Sequence, residues 1–213
     1  KGIAITSGIH PDENTHIETC RYGKGQGAMS LLATLLVDKH DYVPRPILWL
    51  WNIVRHPLVF LRSINPVGVS EKSTYVLVMQ TISNYMRFDY KRRWWRLGKR
   101  SMNSNCDTDQ KVPAYIPVAN EYTRRLAEKV DGDPAASITE IFLNTSTTAH
   151  IMGGCVMADS PENGVIDYKG QIFHYKNLYV ADGSVIPANL GVNPSLTITA
   201  MAEYILDQVP EKI

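Results

Sequence analysis

The alternation of apolar and polar positions predicts a chain of short, mixed elements. Residues 3–7 are apolar and β-branched, and residues 15–22 alternate in the way that is typical of a returning strand. Between them, residues 10–14 combine a proline with four polar residues, which favours a turn. We therefore predict strand, turn and strand, followed by a helix over residues 28–37.

Residues 46–61 are strongly apolar, and Pro57 predicts two short helices there rather than one long helix. Core packing is the favoured interpretation of this stretch. The alternative is a functional element, either a lid over an apolar ligand or a patch that dips into a membrane surface. Residues 73–83 predict a strand at the centre of a sheet.

Residues 87–100 interleave seven basic residues with aromatic ones. Such a run is typical of a groove for single-stranded nucleic acid, but the net charge of the whole chain is only +1. A solvated strand-and-turn face is therefore favoured, contact with phosphate or anionic lipid is the second interpretation, and no nucleic-acid partner is expected. Residues 120–129 predict an amphipathic helix, and residues 139–149 an irregular apolar stretch.

Composition narrows the class of protein. The 213 residues are 44% hydrophobic and 20% charged, which favours a packed core over disorder. Cys20, Cys106 and Cys155 lie far apart without a CxxC pair, so neither a disulfide framework nor a metal site is predicted. The chain starts at Lys1 without a methionine or a signal peptide. We expect a piece of a longer protein, located in the cytoplasm with the option of peripheral membrane contact.

The most informative chemistry lies near the end of the chain. Asn193 and Pro194 precede the apolar segment 195–209, which predicts a helix with asparagine as its N-cap and proline at its first position. The free N–H groups and positive dipole end of such a helix stabilise negative charge.

Two further segments lie nearby. Residues 177–181 predict a strand that ends at Asp182 and Gly183, where glycine lets the backbone approach a ligand closely. His150 precedes a pair of glycines that could direct its ring into a cleft. A lone histidine is more often a structural residue, and the spacing alone favours that interpretation.

Together, three segments resemble the C-terminal signature of the glucose–methanol–choline (GMC) oxidoreductases, and within them the cholesterol oxidase-like branch. They are His150-Ile-Met-Gly-Gly-Cys155, Asn177-Leu-Tyr-Val-Ala-Asp-Gly-Ser184 and Gly191-Val-Asn-Pro-Ser-Leu-Thr-Ile-Thr-Ala200. Residues 3–7, 15–18 and 21–25 are similar to the substrate domain of that branch. The chain departs from the pattern in two ways. Ile151 follows the histidine where many sterol oxidases have proline, and no GxGxxG motif with its following acid occurs.

The resemblance implies an α+β fold. Residues 1–149 would form most of a substrate-binding domain, an antiparallel sheet with helices. Residues 150–213 would supply the C-terminal strand and helix of an FAD-binding, Rossmann-type domain whose N-terminal part is absent. FAD is therefore expected in the full-length protein, whereas the isolated piece is expected to bind it weakly or not at all and to be inactive.

The resemblance also implies an enzyme that oxidises the hydroxyl of a sterol or another bulky hydrophobic alcohol by hydride transfer to flavin. His150 would assist deprotonation of the hydroxyl, and Asn193 would support the substrate oxygen and the flavin. Glu18 would move a proton in steroid isomerisation; the alternative is a strand carboxylate paired with Arg21 or a lysine. The implied cofactor contacts are Asp182, Gly183, Asn193, Pro194 and Ser195, with no metal.

Two alternatives stay open. The protein could be a GMC dehydrogenase that acts on a non-sterol alcohol, or the isolated chain could be a non-catalytic lipid- or membrane-surface module. A face that normally docks against an absent part would also favour self-association.

Overall fold

A computed structural model of the chain describes residues 5–106, 112–148 and 150–211. The chain divides into two compact units, which are described separately. Unit 1 comprises residues 1–78 and 82–147, and unit 2 comprises residues 79–81 and 148–213. The division lies two residues before the predicted boundary after residue 149. What each unit does stays a prediction.

The described chain contains helices and small sheets. The strands are β1 (Ile5–Asp12), β2 (Thr15–Cys20), β3 (Ala33–Leu35), β4 (Tyr75–Gln80), β5 (Arg87–Arg92), β6 (Arg100–Asn105) and β7 (Ala135–Ser137). The helices are α1 (Arg45–Arg55), α2 (Pro57–Ser63), α3 (Val69–Lys72), α4 (Pro117–Lys129), α5 (Ile138–Phe142) and α6 (Ser195–Leu206). Antiparallel pairs join β1 to β2, β3 to β7 and β5 to β6. The α+β class with antiparallel sheets is therefore confirmed.

The first sheet has the strand order β1-β2-β4. The predicted order of strand, turn and strand is confirmed from Ile5 onwards, while residues 3 and 4 lie outside the described residues. The turn is shorter than predicted, because β1 continues to Asp12 and only residues 13 and 14 form the turn. The strand predicted within residues 73–83 is confirmed as β4, but its predicted central position is wrong, because β4 lies at the edge of this sheet and β2 lies in the middle. Ile17 of β2 is accordingly among the most buried side chains of unit 1.

Tertiary pairing overrides local preference at two further places. The helix predicted over residues 28–37 is wrong: a 3₁₀ turn at Gly27–Leu32 leads into β3, which pairs with β7. Thr34 is buried there, and its hydroxyl oxygen accepts a hydrogen bond from Trp49 Nε1 at 2.7 Å. The irregular stretch predicted over residues 139–149 instead begins with α5, whose Ile141 is buried.

The two short apolar helices predicted over residues 46–61 are confirmed as α1 and α2, with Pro57 opening the second. One face of α1 packs through Trp49, whose ring lies 5.7 Å from that of Phe60 and 4.9 Å from that of Phe142. An exposed apolar stripe follows another face at helical spacing, namely Ile47, Leu50, Trp51 and Val54. None of the helices described here combines the length and apolar character needed to cross a membrane.

Unit 2 is built around a small apolar core and little regular structure. Ile166, Val185, Ile186 and Ile205 form that core. The strand predicted over residues 177–181 is wrong, because only Tyr179 makes a bridge, to Gln171. Two residues with left-handed backbone, His174 (φ 67°) and Asn177 (φ 60°), keep the chain in a tight turn, and a regular ladder cannot form.

Ile205 is fully buried, whereas its neighbour Leu206 on α6 is 61% exposed. We expect Ile205→Ala to lower the free energy of unfolding by about 3 kcal/mol, since it leaves a cavity in the core of unit 2. Leu206→Ala, the matched control, should change it by less than about 0.5 kcal/mol. Urea denaturation measures both; equal losses would contradict the assignment of this core.

Candidate active site

Three segments of unit 2 meet at Gly183. Its carbonyl accepts a hydrogen bond from the N–H of Gly153 at 3.3 Å, and the carbonyl of Ser184 accepts one from Cys155 at 3.0 Å. A side-chain carbon on Gly183 would lie 2.8 Å from the backbone oxygen of Ile151 and 3.2 Å from the side chain of Ile198 on α6. The histidine segment, the Asp182–Ser184 turn and the first turns of α6 are therefore in direct contact.

His150 stands at the start of the first segment and is half-buried. Its backbone N–H donates to Thr148 Oγ1 at 3.0 Å, which fixes the local turn. Among the described residues no hydrogen bond involves its imidazole. Within the described part of the chain, the ring therefore lacks the structural partner that a lone histidine usually has.

Asn193 uses one end of its amide to cap α6. Its Oδ1 accepts hydrogen bonds from the backbone N–H of Ser195 at 3.1 Å and from the Ser195 hydroxyl at 2.7 Å. Pro194 is buried and has helical dihedrals, so it occupies the first-turn position that the sequence predicts, although regular hydrogen bonding starts at Ser195. The capping fixes the amide plane and leaves Nδ2 as a donor without a partner in the described chain.

Asp182 accepts the same pair of hydrogen bonds from a serine two residues further along the chain. Its Oδ1 accepts hydrogen bonds from the backbone N–H of Ser184 at 2.8 Å and from the Ser184 hydroxyl at 2.5 Å. The hydroxyl and then the N–H of Ser184 hold the pKa of Asp182 below its usual range, because both stabilise the charged form. The carboxylate therefore stays ionised and keeps Oδ2 available as an acceptor.

Glu18 lies in unit 1. The carboxylate is mostly buried on β2, and Oε1 lies 3.4 Å from His16 Nε2. Glu18 Oε2 and His16 Nδ1 are both buried, and no described residue forms a hydrogen bond with either. The alternative pairing with Arg21 is not formed, since Arg21 Nη2 donates to the backbone oxygen of Glu71.

The sequence analysis did not single out His16 or Ser184 as site residues, and it named Ser195 without its hydrogen bonds to Asn193. His16 lies two positions from Glu18 on one strand, and the period of two predicts that both share a face. Ser184 and Ser195 each follow an Asp or Asn by two residues, which is the spacing of an Asx turn. No group of three or more His, Cys, Asp or Glu side chains able to hold a metal ion occurs in the described residues.

Comparison with known proteins places this geometry in a family. A family model described as GMC oxidoreductase matches residues 74–202. That range covers more than half of the chain and includes the whole meeting point at Gly183. The chain therefore belongs to the GMC oxidoreductase family, and the resemblance drawn from the three C-terminal segments is confirmed.

Individual relatives agree with this assignment. A cholesterol oxidase of Acinetobacter baumannii is 46% identical over 213 residues, which are 100% of this chain and 38% of the relative. A cholesterol oxidase of Mycobacterium tuberculosis is 44% identical over 215 residues, 99% of this chain and 37% of the relative. Long-chain-alcohol oxidase FAO1 of Arabidopsis thaliana is 42% identical over 66 residues, 31% of this chain and 9% of that protein. The chain thus spans less than two fifths of the length of the two cholesterol oxidases.

Gly183→Ala tests the meeting point. The added carbon would strike the Ile151 carbonyl, so we expect a loss of about 1–3 kcal/mol in the free energy of unfolding. Gly23→Ala is the matched control, because the nearest atom there, Gln26 Oε1, is 4.0 Å away. Thermal unfolding with both variants measures the difference; a neutral Gly183→Ala would show that the segments do not pack closely.

The charge of Glu18 can be detected through Cys20. Burial, and secondarily the negative charge of Glu18, raise the pKa of the Cys20 thiol. Glu18→Gln removes that charge, so the pKa of Cys20 should fall, its thiolate fraction at about pH 8 should rise, and it should alkylate faster. Site-resolved mass spectrometry measures the rate, with Cys155 as internal reference. Glu13→Gln, an exposed change in the same hairpin, should have no effect; an unchanged rate in Glu18→Gln would refute the coupling.

Proposed function

We propose that this chain supplies the substrate-facing side of an FAD-dependent enzyme that oxidises the hydroxyl of a sterol or another bulky alcohol. The observation that carries the proposal is the packing of the His150 segment against the Asp182–Ser184 turn and the capped start of α6. The names of the two relatives that the chain matches along its whole length support a sterol as substrate.

The donor set of unit 2 fits a flavin. The N–H groups of Leu196 and Thr197 lie in the first turn of α6 and have no hydrogen-bond acceptor among the described residues. Together with the positive end of the helix dipole, they would hold the edge of an electron-rich ring that gains negative charge. Asp182 Oδ2 would accept a hydrogen bond from a cofactor hydroxyl. Bound FAD would supply the acceptor for the hydride of the carbinol carbon.

His150 and Asn193 would act on the substrate oxygen. An imidazole nitrogen of His150 would take the hydroxyl proton, a role that needs a ring not already committed to another partner. Asn193 Nδ2 would donate to the same oxygen, since Oδ1 is occupied by Ser195. The amide would thus hold the oxygen while the imidazole removes its proton.

Glu18 would perform the isomerisation step of a steroid substrate. Its Oε2, which forms no hydrogen bond with a described residue, would take a proton from one carbon of the oxidised steroid and return it to another, so that a double bond moves without net oxidation. His16 beside Oε1 would hold the carboxylate in place. In this assignment residues 1–149 are most of the substrate-binding domain. Residues 150–213 are the closing part of the Rossmann-type FAD domain.

Steady-state kinetics of the full-length protein test the proposal. We expect His150→Ala to lower kcat by about 10²- to 10⁴-fold on a 3-hydroxysteroid, the range of general-base catalysis. His56→Ala, which changes an exposed histidine of unit 1, is the control and should leave turnover unchanged. Full turnover by His150→Ala would overturn the proposal. Activity confined to simple primary alcohols would favour the non-sterol GMC dehydrogenase instead.

A further inference from the structure

The hairpin formed by β5, β6 and the 3₁₀ turn Trp94–Arg96 concentrates the positive charge of the chain. Residues 87–100 hold seven of the 22 basic residues and one of the 21 acidic residues. The hairpin therefore carries a net charge of +6. The remainder, with fifteen basic and twenty acidic residues, carries −5. A chain that is nearly neutral as a whole thus presents one strongly cationic projection.

The tip of this hairpin exposes large apolar side chains. Trp94 is 85% exposed and Leu97 is 93% exposed. Backbone bonds hold the tip in one shape, because the N–H of Arg93 donates to the Lys99 carbonyl at 3.2 Å and the N–H of Gly98 to that of Arg93 at 3.1 Å. The apolar groups therefore project from an ordered turn.

Neither the backbone conformation nor the packing at position 97 favours leucine. Its backbone is left-handed (φ 52°), a conformation that favours glycine or asparagine and costs other residues about 1 kcal/mol. Its side chain makes almost no packing contact in return. A residue that serves neither local conformation nor the core points to a use outside the folded chain.

We propose that this hairpin tip docks the protein onto an anionic lipid bilayer. Exposed leucine and tryptophan at the tip would enter the acyl boundary, while Arg96, Lys99 and their basic neighbours would contact the phosphate headgroups. Single-stranded nucleic acid would also meet basic and aromatic groups. Two observations favour lipid: Leu97, the most exposed of the tip's described apolar side chains, is aliphatic and cannot stack on a base, and the net charge of −5 elsewhere opposes a long polyanion.

Docking through the hairpin would not depend on the oxidation of an alcohol. The exposed stripe of α1 is a separate apolar surface, and nothing in the structure shows what covers it. Membrane docking requires no bound flavin and no turnover, so its failure and a failure of alcohol oxidation can be told apart.

Vesicle co-sedimentation of the 213-residue chain tests the docking. We expect binding to phosphatidylcholine vesicles that contain about a third phosphatidylglycerol, and little binding to phosphatidylcholine alone. Binding should weaken at about 1 M salt, where charges are screened beyond ~3 Å. Arg96→Gln should weaken it about fivefold. Leu97→Asn should weaken it about tenfold, because it removes the apolar group while suiting the left-handed backbone.

Matched controls use residues outside the hairpin. Lys129→Gln removes an equal charge from α4, and Leu143→Asn removes a leucine that is 70% exposed after α5; neither should change vesicle binding by more than about twofold. Circular dichroism confirms that each variant is folded. Absence of binding to anionic vesicles at low salt would overturn the proposal, as would equal binding by the hairpin and control variants. Tighter binding to a single-stranded oligonucleotide than to vesicles would overturn it in favour of nucleic acid.

Discussion

The absence of a side chain at Gly183 is the constraint on which the candidate site depends. Without a Cβ, the turn after Asp182 approaches the Ile151 carbonyl and the side chain of Ile198 together. The His150 segment is then tied to the turn by backbone hydrogen bonds, and the turn lies against α6. Glycine is needed here for space and not for an unusual backbone conformation. Its importance is therefore steric, whether or not a ligand also lies nearby.

The two ends of helix α6 have different structural roles. Ile205 near the C-terminal end is fully buried, and its side chain fills the space that a Cβ on Gly170 would need. The N-terminal end has the capping amide of Asn193 and an exposed first turn whose N–H groups at Leu196 and Thr197 have no acceptor in the described ranges. Stability thus comes from the end that carries no polar chemistry, so the cap can be shaped for a ligand with little cost to the core.

The sequence predicted features that depend on neighbours in the chain. Asn193, Pro194 and the start of α6 follow from capping rules, since cap and capped N–H are two residues apart. The Gly27–Leu35 segment and the edge position of β4 could not be predicted, because partners such as β7 lie about a hundred residues away. Residues 177–181 have the composition of a strand, but left-handed residues near them override that preference. The His16–Glu18 pair could have been predicted, because alternate residues of a strand lie on the same face of the sheet.

Glu18 and Leu97, both in unit 1, each cost the folded chain free energy. Glu18 buries a carboxylate oxygen that has no described partner, which costs free energy unless something binds it. Leu97 does the opposite, since it holds an apolar side chain in water on a backbone that disfavours it. Neither arrangement stabilises the isolated fold. In the proposals made above, each would become favourable with a second molecule, an oxidised steroid for the carboxylate and a lipid surface for the leucine. The two proposed ligands are compatible in one protein, because a lipid bilayer could hold both a sterol and the docked hairpin.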